Sequence, residues 1–132
     1  MIEHDGTMNA QGHSPDECRS AVGSVQDALY VLNGKWKLPI IIALREGNKR
    51  FGELQRVVHG ISAKVLSHEL KHLELNQFIQ RRVYDTMPVT VEYELTPYSD
   101  TLNNVIYALK EWGEQHRQYI RTGVKEKKAM AV

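Results

Sequence analysis

The chain has one cysteine in 132 residues, which excludes an intramolecular disulfide and a cysteine-based zinc knuckle. It also lacks any run approaching ~18 consecutive apolar residues, the least that a membrane-spanning helix requires. Residues 1–15 include Glu3 and Asp5 and no apolar segment, so they do not read as a secretory leader. An excess of charge is missing as well: seventeen Lys and Arg stand against sixteen Asp and Glu, a formal net charge of +1. Bulk charge therefore names no partner. No internal repeat or low-complexity tract is present. The expectation is one soluble, cytoplasmic domain, because a chain of this length supplies one core and not two.

The distribution of charge is more informative than its sum. Residues 35–82 hold ten of the basic residues (Lys35, Lys37, Arg45, Lys49, Arg50, Arg56, Lys64, Lys71, Arg81 and Arg82) and only four acids. The rest of the chain is net acidic. A basic central block on an acidic body is the pattern of a segment that faces nucleic acid.

Periodicity divides the chain further. Residues 1–17 are rich in turn formers and read as a disordered arm, residues 18–121 as the folded domain, and residues 122–132 as a flexible tail. Val22, Val25, Leu29 and Leu32 have helical spacing, stopped by Asn33-Gly34. Residues 36–45 are almost wholly apolar, as befits a central core helix, with Pro39 acceptable in its first turn. Phe51, Leu54 and Val58 share one stripe; His59-Gly60 breaks it, and Ser62 is a good N-cap for a further helix built on Leu66, Leu70 and Leu73. Trp36 and Phe51 are read as core residues.

The period then changes from helical to alternating. Residues 79–84 and 89–95 are β-rich, with a turn at Asp85-Thr86-Met87-Pro88. Thr96-Pro97 opens a last helix striped with Leu102, Val105, Ile106, Leu109, Trp112, Tyr119 and Ile120. That stripe extends beyond what one small domain needs to cover, which points to a partner helix. The expected fold is mostly α with a small β-hairpin: a winged helix-turn-helix with extra N- and C-terminal dimerisation helices.

Five blocks in this order resemble the HxlR-type winged helix-turn-helix regulators of bacteria. They are Asn33-Gly34-Lys35-Trp36-Lys37, Arg50-Phe51-Gly52-Glu53-Leu54, Gly60-Ile61-Ser62-Ala63-Lys64-Val65-Leu66, Val91-Glu92-Tyr93-Glu94-Leu95-Thr96 and Trp112-Gly113. The resemblance implies a homodimeric, DNA-binding transcriptional regulator, paired through its terminal helices; no cofactor is expected. Some relatives carry a cysteine ahead of the first helix that senses electrophiles or oxidants, and Cys18 stands there. An inert, buried thiol is the competing reading of a lone cysteine. Two departures are visible. Thr90 replaces the usual cation before Val91-Glu92-Tyr93, which removes an obvious phosphate contact from the wing tip. Arg19 follows Cys18 where relatives often have proline, and a neighbouring cation favours a thiolate.

With Leu66, Leu70 and Leu73 facing inward, Lys64, Ser67, His68 and Lys71 occupy the opposite arc, where a recognition helix would meet a major groove. Lys49 and Arg50 precede the preceding helix and suit a phosphate. Arg81 and Arg82, at the root of the wing, suit backbone contacts. For the dimer interface the expected residues are Val25 and Leu29 of the first helix, with Leu102, Val105, Ile106, Leu109 and Trp112 of the last. A two-fold DNA operator, a second copy of the chain and an oxidant or electrophile are the expected partners, and no membrane is.

Two other readings compete. His68-Glu69-Leu70-Lys71-His72 has the H-E-x-x-H spacing of zinc hydrolases, in which the glutamate polarises a metal-bound water. The metzincin continuation fails, because Leu75 and Phe78 occupy the positions it would use. Glu92 and Glu94 fall on the wing, and His4 and His13 in the arm read as solvated. No metal is expected. A winged-helix module turned to protein partners is the third reading, which the weakened wing tip permits.

Overall fold

A computed structural model describes residues 15–130, with side chains described as far as residue 123. The elements run α1 (Pro15–Leu32), α2 (Lys37–Leu44), α3 (Phe51–Val57), α4 (Ala63–Leu75), β1 (Ile79–Tyr84), β2 (Thr90–Leu95), a 3-10 turn (Pro97–Leu102) and α5 (Asn103–Met130). Mostly helical, with one two-stranded antiparallel hairpin, this is the winged helix-turn-helix expected from the sequence.

The core is built around α2. Ile40 and Ile41 are fully buried, together with Leu54 of α3 and Leu66 of α4. Leu70, Leu73, Phe78, Ile79, Leu102 and Ile106 close the same cluster, and Trp36 and Phe51 pack on it half-buried. Pro39 falls at the third position of α2, where its missing N–H breaks no intrahelical bond. Ser62 caps α4, its hydroxyl accepting from the Val65 amide at 3.2 Å. Gly60, at φ 86°, supplies the left-handed residue that the α3–α4 turn requires.

The hairpin is held at its root and at its side. Thr96 Oγ1 donates to the Gln77 carbonyl at 2.6 Å, and the Thr96 amide donates to the Phe78 carbonyl at 3.0 Å. Lys49 forms a bridge with Tyr93, the amides and carbonyls exchanging bonds of 3.1 and 2.7 Å. The wing therefore gains a third backbone partner that alternation of residue types gave no means of finding.

Both ends depart from the sequence reading. α1 begins at Pro15, inside the stretch assigned to the arm, and α5 continues to Met130, through most of the stretch assigned to the tail. A helix of 28 residues spans about 42 Å at 1.5 Å per residue. The remaining arm residues, His4 and His13 among them, lie outside the described residues. No helix among the described residues is long and apolar enough to cross a membrane.

Candidate nucleic-acid interface

α4 has two faces of opposite character. Leu66, Leu70 and Leu73 are buried, whereas Lys64, His68 and Lys71 are exposed and Ser67 is half-buried. With the leucines turned into the core, the polar arc points the other way. The His68 and His72 rings lie 4.3 Å apart between centroids. Beside this arc, a cleft of about 280 Å³ is lined by Ser67, Leu70, Lys71, Glu74, Arg81 and Tyr93. The helix and the wing thus present Lys71 and Arg81 to one hollow. Arg81 Nε also lies 3.5 Å from Glu74, and burial pushes the Tyr93 phenol above its ordinary value.

Arg82 is separated from Arg81 by the pleat, because successive strand residues point to opposite faces. Its guanidinium sits 2.7 Å from Glu94. Glu94 also accepts from Asn48 at 3.0 Å and from Gln80. The hydrogen bond from Arg82, followed by that from Gln80, holds the Glu94 carboxyl below the usual carboxylate range. The two arginines read together at the wing root are thus divided: one adjoins α4, and the other sits in a charge network on the far face.

At the start of α3, the Arg50 amide donates to Glu53 Oε1 at 2.8 Å. Its side chain lines a second cleft, of about 420 Å³, with Asn48, Gly52, Glu53, Arg56 and Glu92. Lys49 is half-buried and its backbone is engaged with Tyr93. At the wing tip the Thr90 hydroxyl lies 3.1 Å from the Thr86 hydroxyl, an internal tie between neutral side chains.

Several other sequence assignments are redistributed. Leu102 and Ile106 are each only 7% exposed within a single chain. They pack into the chain's own core, which leaves little of their surface for the dimer interface expected from the sequence. Val25, Leu29, Val105, Leu109 and Trp112 are all exposed, as a partner-facing surface requires. Cys18 lies on α1, half-buried. The adjacent Arg19 pairs with Asp16, so its charge is shared with a carboxylate and is not directed at the thiol alone.

The zinc-hydrolase alternative loses its glutamate. Glu69 is buried, and both its carboxylate oxygens accept from Lys37 Nζ, at 3.1 and 3.2 Å. A carboxylate committed in this way cannot polarise a water between His68 and His72, and no group of three metal-binding side chains occurs among the described residues. Sequence reasoning overlooked this buried pair, although a signal existed. At 100° per residue Glu69 falls on the leucine side of α4, and Lys37 is the one charged residue of an otherwise apolar α2.

Comparison with known proteins agrees with this arrangement. Residues 31–121 match the family model described as HxlR-like helix-turn-helix. The uncharacterised HTH-type transcriptional regulator YtcD of Bacillus subtilis is 41% identical over 93 residues, 70% of this chain and 74% of that protein. The reduced form of the redox regulator HypR superposes with a TM-score of 0.69 at 35% identity, covering 75% of this chain and 98% of the other. The reduced form of the transcriptional regulator YodB from B. subtilis gives 0.63 at 35% identity, covering 70% and 90%. With its helix-turn-helix, its wing and more than half its length matched in register, the chain belongs to the HxlR-like helix-turn-helix family of transcriptional regulators.

Proposed function

We propose that the protein is a homodimer that binds a two-fold DNA operator and regulates transcription, with residues 18–121 as the functional unit. The observation that carries this reading is the polar arc of α4, with Lys64, His68 and Lys71 exposed and Ser67 half-buried, opposite the buried leucine face. In each half-site α4 lies in the major groove, where a lysine reaches guanine O6 and N7. Lys49, Arg50 and Arg81 serve phosphates beside it, and Arg82 reaches the backbone only by sharing its charge with Glu94. α1 and α5 pair the two protomers and set the spacing of the two recognition helices. Cys18, on α1, is the entry point for an oxidant. Two Cys18 thiols, or one and a small thiol, join as a disulfide and give up two electrons and two protons to that oxidant. The likeness to the redox regulator HypR supports this part of the reading.

Selection of bound duplexes from a random library tests the proposal, run with and without diamide, which accepts those electrons and protons. A selected two-fold sequence is expected, with steep salt dependence. Lys71→Ala and Lys64→Ala should each weaken that binding by about 1–3 kcal/mol if the side chain reads a base. Cys18→Ser should bind alike with and without diamide, while the wild type changes. An absence of any salt-dependent duplex binding would turn the reading to a protein-partner module; equal responses of wild type and Cys18→Ser would make the thiol inert.

A further inference from the structure

One charged cluster is enclosed by the apolar core. Lys37 and Glu69 are 3% and 6% exposed, on helices whose neighbouring residues Ile40, Ile41, Leu66 and Leu70 form that core. Besides the two bonds to Glu69, Lys37 Nζ donates to Asn33 Oδ1 at 3.1 Å and to the Asn33 carbonyl at 3.4 Å. Asn33 directly follows α1, Lys37 opens α2, and Glu69 lies midway along α4. The junction of α1 and α2 and the distant middle of α4 thus meet at one ammonium group.

Stability gives little reason for this cluster, since a buried ion pair seldom outperforms well-packed apolar residues of similar volume. Its particular contribution is geometric. Apolar burial is non-directional, whereas a charged hydrogen bond weakens steeply once its length and angle depart from a narrow range. We propose that Glu69 is a positioning residue for DNA recognition: the Asn33–Lys37–Glu69 cluster fastens the end of α1 to the inner face of α4 and fixes the rotation of α4 about its axis. This rests on the DNA-binding reading above. Lys64, Ser67 and Lys71 lie about 140–160° around the helix from Glu69, at 3.6 residues per turn. At the helix's outer radius of ~5–6 Å, a turn of ~10° moves their side chains by about 1 Å across the groove. That displacement degrades hydrogen bonds to base edges, while the longer reach of lysine to phosphate survives it. The same linkage carries a displacement of α1 into α4.

The test uses the full chain and the duplex that the wild type selects, with a random duplex as reference. Lys37→Met/Glu69→Leu replaces the pair with apolar residues of similar size. It should keep or raise the denaturation midpoint, bind random duplex within about twofold of wild type, and lose about tenfold in the selected-to-random affinity ratio. An unchanged ratio in the folded double variant overturns the proposal, because a merely structural pair would affect stability and leave discrimination alone. Should that variant not fold, Asn33→Ala decides, since Asn33 is exposed. A drop of about threefold in the ratio supports the cluster, and no drop overturns it. If the wild type itself discriminates no sequence, the DNA reading fails and this inference fails with it, an outcome distinct from a discriminating wild type matched by its variants.

Discussion

The centre of the molecule and its terminal helices use apolar residues in opposite ways. From α2 to β2 one set of large aliphatic side chains converges, with Ile40, Ile41, Leu54 and Leu66 retaining no exposed surface, while a few such as Leu75 and Val83 stay outside. In α1 no residue is buried at all, and Leu29 is 61% exposed. α5 begins like the centre, with Ile106 buried, and then turns into the other kind of helix, with Leu109 and Trp112 more than half exposed. Both regions have apolar residues at helical spacing. What separates them is whether a covering layer exists within the same chain. The centre satisfies itself, and the flanks present a surface that one chain leaves uncovered.

Four measurements break or sharpen that contrast. The largest effect is expected from the centre: Leu66→Ala should lower unfolding free energy by about 3 kcal/mol, since the cavity adds to the lost transfer energy. The matched change Leu29→Ala should cost less than about 0.5 kcal/mol at concentrations where the chain is monomeric. Equal costs in dilute denaturant titrations would erase the distinction between the two regions.

Second is assembly. Light scattering of the wild type at micromolar concentration should give twice the 15.1 kDa chain mass, and Leu109→Asp should return it towards one. That same variant should bind a two-fold operator more weakly, because a monomer meets one half-site. A wild type that remains at one chain mass would leave the exposed apolar residues without a partner copy.

A smaller effect concerns the junction of α4 and the wing. Gln77 adopts φ 65°, a left-handed conformation that costs a side-chain-bearing residue energy. Gln77→Gly should raise stability by about 0.5–1 kcal/mol, reduced somewhat by the greater freedom of glycine in the unfolded chain. A loss of stability would mean that the Gln77 side chain contributes more than its backbone strain removes.

The smallest effect is on the outer face of the wing. The Glu94 carboxyl is held below the usual range, chiefly by the hydrogen bond from Arg82. Its contribution is therefore fully present above the ordinary carboxylate range, and is lost as pH falls through the lowered value. Melting curves of wild type and Glu94→Gln should differ slightly near neutral pH and converge in acid. A gap that persists below the carboxylate range would assign the difference to packing.

Much of the fold was legible because short-range chemistry writes it locally. Ser62 as a cap, Pro39 in a first turn and the alternation of Val91, Tyr93 and Leu95 each depend on a few neighbouring residues. The outward arc of α4 was legible for the same reason: burying Leu66, Leu70 and Leu73 sends Lys64 and Lys71 the other way. The pairing of Arg81 with Glu74 and of Arg82 with Glu94 was not. Alternation alone sends adjacent arginines to opposite faces, but which carboxylate each meets depends on the register of β1 on β2 and on where α4 packs. The bridge between Lys49 and Tyr93 joins residues far apart along the chain and leaves no local mark.

The sequence by itself determined the helix-turn-helix and wing, the family, and the polar arc of α4, because periodicity and caps act within a few residues. It also determined that α1 and α5 are amphipathic. Only the tertiary structure decided which part of the α5 stripe belongs to the protomer's own core, where Leu102 and Ile106 are enclosed, and which part remains outside. Only there did Glu69 cease to be one third of a zinc motif and become the buried partner of Lys37. A helical period fixes the direction of a side chain about its own axis. What lies in that direction depends on the packing of elements distant in sequence, and a charge is stable in a core only where such packing brings its counter-charge to it.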